Sequence, residues 1–135
     1  MERTRLSIED FMIGWVSALP IELAAAIGAM DEKYSEPQLP QLPQGVEKTK
    51  LYTFGRIGPH KVVVACLPES LTGTSSAAAV ASEMRRLFPR IRFWFLVGTG
   101  GGVPLGDSDL RLGDVVISDA SMEHGGAVQY DLWEN

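Results

Sequence analysis

The fold of this 135-residue chain is decided by one stretch, residues 93–104, which read FWFLVGTGGGVP. Its first five residues are apolar, and four of the next five are glycine. A continuous apolar run that ends in a turn signal is typical of a strand covered on both faces, as in a parallel sheet. Glycines let a ligand approach the backbone closely, and ligands of open α/β sheets bind at the carboxyl ends of the strands. The stretch therefore predicts a small-molecule site at the carboxyl edge of a parallel sheet.

The other apolar runs alternate with helical segments and turn signals. In chain order they predict a strand, a helix, a β-hairpin, a helix, a strand, a glycine loop and a final strand. We expect strands at residues 11–19, 51–57, 62–67, 93–97 and 112–118, helices at 21–27 and about 74–87, and a surface loop at 34–49. This order predicts an α/β fold, a three-layer sandwich with a mixed central sheet. The loops that follow residues 19, 67 and 97 should converge on one site.

Composition and charge indicate a soluble globular protein and argue against several kinds of partner. The net charge is −5 and no basic stripe is present, so we expect neither nucleic acid nor a membrane surface as a partner. Residues 1–10 are a polar lead-in without the apolar core of a signal peptide, and residues 11–135 should form the folded part. A single cysteine, Cys66, favours a cytoplasmic location. The scattered acids lack the spacing of a metal site, and we expect no metal and no cofactor.

The glycine run at residues 98–102 has several alternative explanations. A dinucleotide-binding fingerprint would need glycines that open a helix, but Val103-Pro104 follow here. A P-loop is excluded because no Gly-Lys-Ser/Thr is present. A tight structural turn remains, as does a nest of N–H donors for an anion, a ribose or a water. The candidate ligand-binding residues of such a nest are Gly98, Thr99, Gly100 and Gly101.

Glu22 is the candidate catalytic residue, because it lies in the first turn of the first expected helix, just beyond a strand end. A carboxylate at this place could act as a general base or orient a water in the pocket. The alternative is an exposed acid that favours the helix dipole. Ser75 and Ser76 begin the second helix, where they could cap that helix or hydrogen-bond a ligand at its positive end.

Three motifs occur in one order along the chain, at Ile13–Leu23 (IGWVSALPIEL), Leu96–Pro104 (LVGTGGGVP) and Asp109–Ser118 (DLRLGDVVIS). Together they resemble the nucleoside phosphorylase family, in the branch that includes the methylthioadenosine/S-adenosylhomocysteine nucleosidases. The likeness is greatest to phosphorylase-like domains of fungal immune-receptor-like proteins, and Gly125–Asp131 is also similar to that branch. The resemblance covers nearly all of residues 11–131 and implies a nucleoside phosphorylase-like fold.

The resemblance implies cleavage of the bond between a ribose and a base, by water or by phosphate. Glu22 falls on the glutamate that positions the attacking water in the nucleosidases, and Thr99 with the glycine loop would hold the ribose or the water. In the phosphorylases an arginine that grips phosphate precedes this hydroxyl by three residues, and Leu96 stands there in this chain. Because leucine offers no guanidinium donors, water is the expected acceptor and a purine nucleoside or nucleotide the expected substrate. A phosphate-dependent phosphorylase is the alternative enzyme.

The resemblance also implies that two functional segments lie outside this chain. In the family, the acid that protonates the leaving base and the segment that holds the ribose hydroxyls come late in a longer chain. We therefore expect residues 11–135 to be the N-terminal part of a truncated domain, with little or no turnover alone. The alternative from another class is a non-catalytic nucleoside-sensing module of a receptor-like protein. A homo-oligomer is compatible with the resemblance, because the family is usually oligomeric.

Overall fold

A computed structural model of the chain describes residues 6–35, 37, 52–68, 74–103, 109–120 and 125–126. The chain forms two compact units, Met1–Thr99 and Gly100–Asn135. The first unit holds the helices and strands of the described residues. They are, in order, a 3₁₀ turn at Ile8–Asp10, β1 (Ile13–Ser17), α1 (Pro20–Gly28), β2 (Glu32–Tyr34), β3 (Tyr52–Ile57), β4 (His60–Cys66), α2 (Thr74–Leu87) and β5 (Phe93–Leu96).

The strands of the described residues form one mixed sheet in the order β2-β3-β4-β1-β5. β1 runs parallel to both β4 and β5, whereas β3 is antiparallel to β2 and β4. The predicted hairpin is therefore confirmed, and its second arm lies at the centre of the sheet. Its turn is shorter than expected, because the β3–β4 ladder continues to the pair Ile57 and His60. Gly58, with φ of +56°, supplies the positive φ that a tight hairpin turn requires.

The two helices cover opposite faces of the sheet, which confirms the predicted three-layer α/β sandwich. Successive side chains of a strand point to opposite faces. In β4, Val63 and Ala65 are buried in one core cluster with Val80 and Met84 of α2. Val62 and Val64 are buried in a second cluster with Ala26 of α1.

The larger core cluster is centred on three buried aromatic rings. The Phe11 ring lies with its centroid 5.2 Å from that of Phe54 and 6.1 Å from that of Phe88, the latter in an edge-to-face arrangement. The Tyr52 ring meets Phe88 edge to face at 5.5 Å, and the Tyr52 hydroxyl donates to Glu83 Oε1 at 3.1 Å. Aromatic pairs of this geometry stabilise a core beyond their area burial. The cluster fixes α2 and the segment before β1 against the sheet.

Two expectations about the strands of the first unit need correction. The run at 93–97 was expected to be covered on both faces, but β5 is the last strand in the sheet order and its side chains are exposed. The helices pack over β1 and β4 instead. β2 was missed, because its three residues are charged or polar and pair only with β3. The other residues of the predicted loop at 34–49, apart from 34, 35 and 37, lie outside the described residues.

The prediction of a strand at 112–118 is also wrong. The described residues of the second unit contain no helix or strand, although a turn with Gly113 at φ of +94° is present. In that turn the Arg111 N–H donates to Asp114 Oδ2 at 2.8 Å. A strand exists only where a neighbour completes its ladder. Within the described residues no strand pairs with this run, and the apolar residues Val115–Ile117 are exposed.

Candidate functional site

Glu22 is positioned by the way in which α1 begins. Pro20 occupies the first turn of α1, where its missing N–H costs no helical hydrogen bond, and Glu22 is the third residue of the helix. The Glu22 side chain turns back, and its Oε2 accepts the backbone N–H groups of Ala18 at 2.9 Å and Leu19 at 3.0 Å. This is the returning half of a capping box, which satisfies N–H groups that the helix cannot. The carboxylate is thereby held at the carboxyl end of β1.

Thr99 is brought to the same place by β5. The pairing of β5 with β1 continues past the strand, because the Val97 N–H donates to the Val16 carbonyl oxygen at 3.0 Å. Two residues later, the Thr99 N–H donates to Glu22 Oε1 at 2.8 Å and the Thr99 hydroxyl lies 3.2 Å from the same oxygen. The carboxyl ends of β1 and β5 therefore meet at a single carboxylate.

Gly98 is explained by this approach. A Cβ on Gly98 would lie 3.0 Å from Glu22 Oε1 and 3.4 Å from its carboxyl carbon. The absence of a side chain at Gly98 therefore lets the loop close on Glu22. Gly100 and Gly101 differ, because a Cβ on either would meet nothing within 4 Å in the described structure. Close packing thus accounts for Gly98 alone among the candidate glycines, and ligand contact by all three remains a prediction.

The Glu22 carboxylate is buried and held in its ionised form. The residue is only 7% exposed. The backbone N–H of Thr99 is the largest influence, followed by that of Leu19, and these hydrogen bonds hold the pKa of Glu22 below its ordinary value of 4.5 although burial opposes them. A carboxylate has about four lone-pair positions. In the described structure four protein donors contact its two oxygens, and the longest contact is that from the Thr99 hydroxyl.

This arrangement limits the chemistry that Glu22 can perform. A carboxylate with a lowered pKa is a weak base, but it is a strong and fixed negative charge in a shielded position. To accept a hydrogen bond from a water as well, it must release one of its present donors. The Thr99 hydroxyl can rotate away about one bond, whereas the three backbone N–H groups are fixed by β1, α1 and β5. The geometry therefore allows Glu22 to stabilise a nearby positive charge, and to hold a water in exchange for the Thr99 hydroxyl.

Ser75 and Ser76 occupy the first turn of α2, as the sequence predicted, but their ligand contacts remain predictions. Ser75 is exposed and Ser76 is partly buried. No hydrogen bond joins either serine to Glu22 or Thr99 in the part of the chain that the structure describes. Residues 69–73, which would connect β4 to this turn, lie outside the described residues. The predicted convergence of three loops is thus found for two of them.

The sequence did not reveal two features, one at the site and one elsewhere on the sheet. The first is the pair of N–H donors from Ala18 and Leu19, although a glutamate three residues after a helix start is a known sign of such a cap. The second is an apolar cavity of about 250 Å³ on the face of the sheet that α1 partly covers. It is lined by Ile13, Trp15, Ile57, His60, Val62, Phe95 and Val97. No periodicity of a single strand could reveal a cavity that four strands build together.

No set of three or more histidine, cysteine, aspartate or glutamate side chains is placed to hold a metal ion in the part of the chain that the structure describes. Its helices also include none with the length and apolar character needed to cross a membrane.

Comparison with known proteins gives a consistent set of relatives. A family model described as "Phosphorylase superfamily" matches residues 13–133. A nucleotide-binding leucine-rich repeat (NLR)-like protein of Hyaloscypha variabilis is 40% identical over 132 residues, which are 98% of this chain and 13% of that protein. Among solved structures, the MTA/SAH nucleosidase of Streptococcus pneumoniae in complex with 8-aminoadenine is similar at 28% identity and a TM-score of 0.42. That match covers 67% of this chain and 33% of the nucleosidase chain, so this chain spans a small part of either relative.

Proposed function

The chain belongs to the phosphorylase superfamily, and from that premise we propose that it is part of a nucleosidase-type domain that cleaves the N-glycosidic bond of a purine nucleoside or nucleotide with water, with little or no turnover by this chain alone. Glu22 is the catalytic residue of this proposal. Thr99 and the adjoining glycines Gly98, Gly100 and Gly101 contact the ribose or the water. Ser75 and Ser76 contribute hydrogen bonds to the ligand from the start of α2.

One observation supports this proposal above the others: the ionised, buried Glu22 carboxylate lies against the Gly98-Thr99 turn at the carboxyl edge of parallel strands. Cleavage of a glycosidic bond passes through an oxocarbenium-like transition state that carries positive charge on the sugar. A preorganised negative charge at that place stabilises the transition state more than the neutral substrate. The lowered pKa of Glu22 ensures that the charge is present at neutral pH.

Water is a better acceptor than phosphate for the side chains at this edge. Leu96 occupies the position to which the family resemblance assigns a phosphate-gripping arginine, and its side chain is 70% exposed. An exposed leucine offers phosphate neither charge nor hydrogen-bond donors. The released sugar should therefore be free ribose rather than ribose 1-phosphate.

A second function is favoured by the same carboxylate. Because each oxygen of Glu22 already accepts from two protein donors, the site as it stands could bind a nucleoside without activating water. The name of the NLR-like relative also describes a nucleotide-binding protein. A sensing module that binds a nucleoside or nucleotide without cleaving it is therefore the alternative.

The two functions are distinguished by a substrate whose leaving group needs no protonation. We would incubate a full-length domain that contains this chain with p-nitrophenyl β-D-riboside and follow the release of nitrophenolate, and in parallel measure adenosine binding by calorimetry. The enzyme proposal predicts hydrolysis that Glu22→Gln lowers by about 10²-fold or more, with adenosine binding retained. The matched control is Glu9→Gln, which makes the same change at an exposed carboxylate of the 3₁₀ turn and should keep the wild-type rate.

Each result decides between the functions. Adenosine binding without nitrophenolate release supports the sensing module and overturns the enzyme proposal. Hydrolysis that is equal in wild type and Glu22→Gln overturns the assignment of Glu22. Formation of ribose 1-phosphate when phosphate is added would show a phosphorylase instead of a hydrolase.

A further inference from the structure

Ser17, the last residue of β1, has a polar side chain that is completely buried. Its exposure is 0%, and the other buried polar or charged side chain of the described residues is that of Glu22. Burial of a hydroxyl is costly unless the hydroxyl is hydrogen-bonded. Ser17 Oγ accepts a hydrogen bond from the Trp15 indole Nε1–H at 3.1 Å. Because residues two apart lie on the same face of a strand, this bond holds the indole of Trp15 in one orientation on that face.

The Trp15 ring belongs to the core that lies between α1 and the sheet. Trp15 and Leu23 are partly buried, and both pack against the buried cluster of Ala26, Val62 and Val64. Leu23 and Ala26 are residues of α1, whereas Val62 and Val64 are residues of β4. Close-packed side chains transmit small changes of shape to their neighbours. The orientation of the indole therefore affects how the first turns of α1 lie on the sheet.

The two oxygens of the Glu22 carboxylate depend on α1 in different ways. Oε2 accepts from Ala18 and Leu19, which form the bend that leads into α1. Oε1 accepts from Thr99, which follows β5 and is separate from that bend. A shift of α1 on the sheet should therefore weaken the contact with Thr99 and leave the contacts with Ala18 and Leu19 in place.

We propose that Trp15 and Ser17 are positioning residues for Glu22. Their hydrogen bond fixes the indole, the indole fixes α1 on the sheet, and α1 places the carboxylate against Thr99. The catalytic consequence of this inference rests on the proposed function. Its geometric part does not, and it can be tested without catalysis.

The first test is an NMR titration of the Glu22 carboxyl carbon and the backbone amides in wild type and in Ser17→Ala, which removes the acceptor of the indole N–H. The Thr99 N–H is the largest influence that lowers the pKa of Glu22. The pKa of Glu22 should therefore rise in Ser17→Ala towards its ordinary value of 4.5. The response of the Thr99 amide to the titration should weaken, while the responses of Ala18 and Leu19 are kept.

Two further variants separate positioning from a general loss of packing. Val63→Ala is the matched control, because Val63 is fully buried in β4 but belongs to the core on the face that α2 covers. It should destabilise the fold and leave the pKa of Glu22 unchanged. Trp15→Phe removes the indole donor and keeps an aromatic ring, and it should change the pKa in the same direction as Ser17→Ala. An equal change in Val63→Ala, or no change in Ser17→Ala and Trp15→Phe, would overturn the proposal.

The wild-type chain offers a measurement that needs no variant. If the indole and the carboxylate are coupled through α1, the indole N–H resonance of Trp15 should shift with the same midpoint as the Glu22 carboxyl carbon. An indole resonance that does not respond to the protonation of Glu22 would overturn the proposal even if every variant failed to fold.

The catalytic consequence is measured in a full-length domain that contains this chain, with p-nitrophenyl β-D-riboside as the substrate. Ser17→Ala should lower kcat about tenfold with little change in KM, because a displaced charge stabilises the transition state less. A wild-type kcat in Ser17→Ala would overturn the positioning roles and leave the proposed function intact. A wild-type domain without hydrolysis would overturn the proposed function, and the titrations would still decide whether Trp15 and Ser17 position Glu22.

Discussion

The Thr99 backbone N–H lies 2.8 Å from Glu22 Oε1, although the two residues are 77 positions apart in the chain. The segment between the two residues includes most of α1, all of α2 and every strand of the described sheet except β1. The contact also fixes the pKa of Glu22, because this N–H is the largest influence on that carboxyl. One hydrogen bond thus couples the stability of the sheet edge to the charge state of the candidate catalytic group.

Adding a methyl group to Gly98 should disturb the site directly. In Gly98→Ala, the new Cβ would approach Glu22 Oε1 to about 3.0 Å, so that either the carboxylate or the Thr99 turn must move. We expect a loss of about 1–3 kcal/mol in the free energy of unfolding and weaker nucleoside binding. The control for stability is Gly100→Ala, whose Cβ would meet nothing within 4 Å in the described structure and which should leave the free energy of unfolding nearly unchanged. Denaturant melts measure the free energy of unfolding of both variants. An equal loss in Gly98→Ala and Gly100→Ala would contradict the close approach of Gly98 to Glu22.

Replacement of Glu22 should make the stability of the fold less dependent on pH in the acidic range. Glu22 has a lowered pKa in the folded chain, so its ionised form stabilises the fold above pH 4.5, and this contribution is lost as the pH falls through the lowered folded value. Glu22→Gln should therefore be less stable than wild type at pH 7, by about 1–3 kcal/mol, and the gap should narrow towards pH 3. Thermal melts across this range test it. A difference in stability between wild type and Glu22→Gln that does not change with pH would show that the charge of Glu22 does not stabilise the fold.

The effect of the Thr99 hydroxyl on Glu22 can be measured apart from that of the Thr99 backbone N–H. Thr99→Val keeps the shape and the N–H but removes the hydroxyl that lies 3.2 Å from Glu22 Oε1. We expect a cost of about 0.5–1.5 kcal/mol and a pKa of Glu22 that is less depressed than in wild type. Thr99→Ser retains the hydroxyl and should keep both properties close to wild type. Carboxyl-carbon NMR titrations compare them; an unchanged Glu22 pKa in Thr99→Val would mean that the hydroxyl does not donate to the carboxylate.

Gly14 tests the packing of β5 on β1. A Cβ on Gly14 would lie 2.9 Å from two carbons of the Trp94 ring, so Gly14→Ala should push β5 away and cost about 1–3 kcal/mol. Gly28→Ala is the matched substitution at the end of α1, where a Cβ meets nothing within 4 Å and where alanine favours the helix. It should be neutral or add up to about 1 kcal/mol. Chemical denaturation measures the free energy of unfolding of both variants. Equal values for Gly14→Ala and Gly28→Ala would contradict the packing of Trp94 over Gly14.

Local patterns predicted the first unit well because its signals are short in range. Pro20 marks the start of α1, the alanine-rich run after residue 74 marks α2, and the β-branched arm at residues 62–64 is the centre of the sheet. The resemblance to the nucleoside phosphorylase family is confirmed at the level of the superfamily. The sheet order could not be obtained in this way, because it depends on which distant strands pair.

The failures have a common physical cause. An apolar run predicts that a strand will be buried, but burial depends on what other segments cover it. Phe95 is half exposed at the edge of the sheet, and the run around Val116 forms no strand in the described residues. For the site, the sequence predicted that Glu22 and the glycine run belong together. It could not show that the donors of Ala18 and Thr99 would occupy both oxygens of the carboxylate.

The pairing of Glu22 with Thr99 is tested most directly by an NMR titration of the wild-type chain between pH 7 and pH 2.5. The Glu22 carboxyl carbon and the Thr99 amide proton should titrate with one common midpoint below 4.5, and the Thr99 transition should vanish in Glu22→Gln. A Thr99 amide that does not respond when Glu22 is protonated, or a Glu22 midpoint above 4.5, would contradict the site on which the proposed function depends.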